Sequence, residues 1–106
     1  MNTHRKYNTV GHIHFDFCYQ VGDDSRYPGS ALRLVECADG RWYLEQEFGT
    51  EYEVFPGVVK SSTDLDTLPT FFPDVDTAAR AAFAFILQVY PGTSTRHLEE
   101  FLNEEN

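Results

Sequence analysis

The chain predicts an α+β fold, an antiparallel sheet of three to four strands with two C-terminal helices packed on one face. Three observations point there. Apolar residues alternate with period two across Val10–Val21, Ser30–Cys37 and Arg41–Phe48. From Asp74 onward the period becomes 3.6. Helices that follow the strands, rather than interleave with them, indicate α+β and not α/β.

The clearest strand is Val10–Val21. Ile13, Phe15, Phe17 and Tyr19 fall on one side, and His12, His14, Asp16, Cys18 and Gln20 on the other. Residues 1–9 are polar and aperiodic, so a flexible N-terminal arm is expected there, with 10–106 as a single domain. Gly22–Gly29 is punctuated by Gly and Pro-Gly and reads as a loop longer than a tight turn. Leu32 and Leu34 alternate with Arg33 and Val35 in the second strand. In the third, Trp42, Leu44 and Phe48 alternate with Tyr43, Glu45 and Glu47.

Ala38-Asp39-Gly40 must turn the chain between them. A two-residue Asp-Gly loop would set Leu34 against Glu45 and mix apolar with acidic on both faces. A three-residue loop, with Gly40 in the left-handed region, pairs Leu34 with Leu44 and Arg33 with Glu45. That register keeps the faces separate, and a slip of one residue would invert them. The three-residue loop is therefore predicted, with Gly40 supplying the positive φ.

Tyr52 and Val54 alternate with Glu51 and Glu53, suggesting a further strand over Glu51–Phe55. Pro56-Gly57 fits a type II turn, and Val58–Ser61 a short edge strand. Asp74–Tyr90 carries Val75, Ala78, Ala79, Ala82, Phe83, Ile86, Val89 and Tyr90 on one stripe. Asp74 is the expected N-cap and Pro91-Gly92 the stop. Ser94 or Thr95 should cap a second helix reaching about Asn103, with Leu98, Phe101 and Leu102 inward.

Composition bounds the function. Nine Phe, six Tyr and one Trp in 106 residues argue for a packed core. The net charge is −9, from 17 acids against 8 Lys and Arg. That excess argues against direct contact with nucleic acid or an anionic membrane, and permits a protein partner with a basic surface. It also serves solubility. No apolar run reaches membrane-spanning length, and the basic residues near the start have no apolar stretch behind them, so no signal peptide is expected. Cys18 and Cys37 lie outside any Cys-x-x-Cys pattern, which fits a cytoplasmic protein with two free thiols.

His12-x-His14-x-Asp16 is the sharpest local pattern. Residues two apart on a strand share a face, about 6.6 Å apart, and two imidazoles with a carboxylate could meet on one zinc. The five residues resemble the metal-binding start of amidohydrolase-type enzymes. That resemblance implies a small metal-dependent enzyme, the alternative reading. Those enzymes build a barrel well over twice this length, and their later ligands have no counterpart here. Cys18 shares the histidine face, but nothing adjacent is implied to orient it as a nucleophile.

The preferred reading is a non-catalytic interaction module that needs no cofactor. Asp16, Tyr43, Glu45, Glu47, Glu51 and Glu53 share the outward parity, and such rows of carboxylates can meet Lys and Arg as a phosphate backbone does. Small acidic inhibitors of nucleic-acid-binding machines, including phage anti-defence proteins, are similar in charge and size. Neither Glu45 nor Glu47 is expected to support the core, so reversing both should spare the fold. A homo-oligomer is the third reading, suggested by Leu87 on the polar side of the main helix and Phe85 at its margin.

Overall fold

A computed structural model of the chain describes residues 2–15 and 30–105. The elements run α1 (Thr3–Lys6), β1 (Thr9–Phe15), β2 (Ala31–Cys37), β3 (Trp42–Phe48), β4 (Val58–Val59), α2 (Val75–Val89) and α3 (Arg96–Glu105). The strands form one sheet in the order β1-β2-β3-β4. The α+β architecture, with both C-terminal helices on the sheet, is as the sequence predicts. One difference lies at the edge, where β4 runs parallel to β3, Leu44 opposite Val58. The sheet is therefore mixed, though mostly antiparallel.

The hairpin register is the predicted one. Leu34 faces Leu44, Arg33 faces Glu45 and Val35 faces Tyr43. The Cys37 N–H donates to the Arg41 carbonyl at 2.8 Å, and the Gly40 N–H to the Cys37 carbonyl at 3.0 Å. Gly40 sits at φ 91°, where a side chain would be strained. In β1, His14 faces Arg33 and Thr9 faces Cys37. The expected strand beyond Phe15 and the Gly22–Gly29 loop lie outside the described residues, as do Asp16 and Cys18.

Phe15, Leu32, Leu34, Leu44 and Val58 point to the helices and meet Ala78, Ala79, Ala82, Phe83, Ile86, Phe101 and Leu102. The alanines of α2 bring its backbone close to β2 and β3, while Phe101 of α3 meets Phe15 edge-on at 5.0 Å between centroids. Asp74 Oδ1 accepts the Thr77 N–H at 2.8 Å, fulfilling the predicted cap. Ser94 Oγ accepts the Arg96 N–H at 3.2 Å and the Thr95 carbonyl accepts from Glu99, so both expected capping residues contribute at α3. Phe85 stacks on Phe55 at 4.4 Å, and Phe85 and Leu87 are both partly buried against the main core.

Two expectations need correction. The N-terminal residues are not a free arm. Thr3–Lys6 form one helical turn that lies on the other face of the sheet, with Thr3 buried and its N–H donating to the Ser62 carbonyl at 2.7 Å. Tyr7 and Phe71 then close over Val35, Cys37, Tyr43 and Val59, making a second apolar cluster. Residues 51–55 are not a strand but a series of turns. The buried Tyr52 side chain draws this segment inward among the helices.

Candidate functional site

The second face of the sheet carries most of the residues that the sequence marked for function. His14, Arg33 and Glu45 stand in one line across β1, β2 and β3. Glu45 is not an outward carboxylate: it is 0% exposed. Arg33 Nη2 approaches its Oε1 at 3.3 Å, and His4 Nε2 of α1 lies 3.1 Å from its Oε2. The Arg33 contact is a charge contact without hydrogen-bond alignment, leaving Arg33 Nε and Glu45 Oε1 without a hydrogen-bond partner. A carboxylate so enclosed cannot meet a partner protein, and it holds the first helical turn to the sheet.

Tyr43 is likewise buried, edge-on to Tyr7 at 5.5 Å and to Phe71 at 6.0 Å. Burial pushes its phenol up to about 12, with the Glu45 charge adding and the Thr3 hydroxyl opposing. It belongs to the second cluster and not to a binding surface. Glu47 is partly exposed and contacts His14 Nδ1 from the neighbouring side of the face. Glu51 and Glu53 are fully on the surface.

His12 and His14 do stand side by side on β1, their rings 5.2 Å apart and nearly perpendicular. The third member of the proposed metal set, Asp16, lies outside the described residues. Among the described residues no group of three His, Cys, Asp or Glu side chains is placed to hold a metal ion. Cys37 is a buried free thiol, opposite Thr9 in the sheet. Burial above all, and then the charge of Asp39, raises its pKa and leaves it a poor nucleophile.

The carboxylates that remain outward gather at the end of β3. There Phe48 is 43% exposed and Val54 78% exposed, flanking Glu51 and Glu53. The segment between them is firmly tied. Gln46 Oε1 accepts the Tyr52 N–H at 2.9 Å, Ser30 Oγ accepts the Glu51 N–H at 2.9 Å, and the Thr50 carbonyl accepts the Glu53 N–H at 3.1 Å. Tyr52 is the anchor, with its side chain fully buried. Sequence alternation alone treated Phe48 as inward and Val54 as the fellow of Tyr52. The pairing of one buried and one exposed residue becomes visible only once the segment is known to be turned.

No family model, no curated protein and no solved structure matches the chain.

Proposed function

We propose that the protein is a non-catalytic interaction module whose working surface is the anchored loop from Phe48 to Val54. The observation that carries this reading is the combination of two exposed apolar side chains, Phe48 and Val54, with the exposed Glu51 and Glu53 on a backbone fixed by Tyr52, Gln46 and Ser30. Aromatic residues such as Phe48 are enriched at the apolar centre of protein interfaces, with polar and charged groups at the rim. A loop already held in shape loses little entropy on binding. The net charge of −9 extends the same field over the rest of the molecule and would steer a basic partner toward it.

The partner class is a protein with a basic patch beside an apolar depression, of the kind found on nucleic-acid-binding machines. Exposure of Glu51 and Glu53, and partial exposure of Glu47, supports this reading for those members of the acidic row, whereas Tyr43 and Glu45 are buried and Asp16 lies outside the described residues. The test begins with capture of partners from the native host on wild-type protein and on Val54→Asp. Titration of the captured partner follows, against wild type and Glu51→Lys/Glu53→Lys, at two salt concentrations. Binding should weaken with salt, with charge reversal and with Val54→Asp. Affinity indifferent to all three would overturn the proposal.

A further inference from the structure

Beside the end of α1 and the β2–β3 turn is a cleft of about 450 Å³, lined by Lys6, Tyr7, Asn8, Ala38, Asp39 and Arg41. Its lining carries two cations, Lys6 and Arg41, and one carboxylate, Asp39. Only 8 of the 106 residues are Lys or Arg, yet Lys6 and Arg41 line it, and Arg5 is next in sequence. Lys6 Nζ lies 5.3 Å from the Tyr7 ring centroid and pairs with no carboxylate of the described residues.

The Arg41 guanidinium is fixed on two sides. It lies 3.9 Å from the Phe71 ring centroid, and its Nε donates to Asp39 Oδ2 at 2.7 Å. Asp39 Oδ1 takes the Arg41 backbone N–H at 3.0 Å, so both oxygens of this carboxylate are turned toward Arg41. The Nη edge is then left to present a fork of N–H donors, a geometry suited to oxyanions. The floor is preformed as well. Asn8 holds φ 57°, rare for a residue other than glycine, and its carbonyl accepts the Ala38 N–H at 2.8 Å.

We propose that this cleft binds a small phosphate monoester, the phosphate lying between Lys6 Nζ and the Nη edge of Arg41. A point-charge ammonium beside a fixed guanidinium fork favours a dianion over a monoanion. The volume is within the range of small-ligand pockets, roughly 300–1,000 Å³, so an organic group can accompany the phosphate against Tyr7 and Ala38. The molecule is acidic overall, so a small anion needs local cations to offset the net charge, which Lys6 and Arg41 supply here. The site is independent of the Phe48–Val54 surface.

The experiment is an amide NMR titration with inorganic phosphate and ribose 5-phosphate, with acetate at matched ionic strength as the comparison. The proteins are wild type, Lys6→Gln, Arg41→Gln and, as a control, Arg80→Gln. Phosphate should cause saturable shifts at Lys6, Asn8, Ala38 and Arg41, with ribose 5-phosphate the tighter of the two. Lys6→Gln, an exposed change that leaves the turn untouched, should weaken binding by about tenfold, as loss of a charge-assisted contact implies. Arg80→Gln should change nothing. Shifts that fail to saturate, that survive Lys6→Gln, or that acetate reproduces equally would overturn the proposal.

Discussion

Replacing Glu45 by Met tests whether its carboxylate is part of the interior, as its 0% exposure and its contacts with Arg33 and His4 indicate. Methionine keeps most of the volume and removes the charge. Breaking a buried ion pair from one side costs about 3–5 kcal/mol. The Arg33 side chain is 20% exposed and can turn partly to water, so the lower end applies, about 3 kcal/mol. Arg33→Met strands the enclosed carboxylate and should cost a similar amount, about 3 kcal/mol. With both replaced, no charge is left unpaired between them, and the double variant should lose only about 1 kcal/mol or less, not the roughly 6 kcal/mol that independent sites would give. Urea unfolding of the four proteins at pH 7 measures this directly, with a fall in melting temperature of roughly 12 °C expected for each single variant. A double variant within about 0.5 kcal/mol of additivity would refute the coupling. Single variants as stable as wild type would refute the burial itself and restore Glu45 to the outer surface.

Three further outcomes are expected. The Asp64 carboxylate is opposed by burial, but the Thr67 side chain and the N–H groups of Lys60, Thr67 and Asp66 outweigh this and hold its pKa down to about 2, against 3.8 ordinarily. A depressed folded value means a contribution that is complete above the unfolded pKa and lost as pH falls through about 2; solvent screening limits it to about 1 kcal/mol, and Asp64→Ala should flatten the acid limb of the stability curve between pH 4 and 2. Gly57 sits at φ 83° with the Thr70 side chain where a Cβ would go, so Gly57→Ala should cost about 2–3 kcal/mol by chemical denaturation, and Thr70→Gly in the same chain should restore only the part due to the clash. Asp74→Ala removes the cap of α2 and should lower stability by about 1 kcal/mol in the same assay, with Asp74→Ser recovering most of it.

What could be read in the sequence followed from periodicity that a single element enforces. The Leu34–Leu44 register was legible because one face of each strand is apolar and only one turn length keeps it so. The α2 stripe and its Asp74 cap were legible for the same local reason. The second cover of the sheet was not. Thr3–Lys6 is too short for any periodicity, and its companion Phe71 comes from a remote segment of the chain. A signal did exist, since Val35, Cys37 and Tyr43 are apolar residues on the parity assigned to water. Glu45 was misread because Glu-x-Glu beside it looked like a solvated edge, whereas His4 and Arg33 supply its charge partners across the fold. The surface at Phe48–Val54 was hidden by the opposite error, alternation read as a strand where the chain turns.

The clasp between the first helical turn and the sheet has a consequence for how the molecule is made. His4 and Glu45 are 41 residues apart in sequence, and Phe71, which closes over the same cluster, is further still. During synthesis at about 5–20 residues per second, the first turn leaves the ribosome seconds before the surfaces that bury it. It must wait, uncovered, until β3 and the Phe71 segment have emerged. Closure of this face is therefore a late, long-range event in vectorial folding, while the β2–β3 hairpin can form as soon as it is exposed. A bulky group fused ahead of Thr3 would act on that final step, slowing the docking of Thr3 and Tyr7 while leaving the hairpin and α2 to assemble at their own pace.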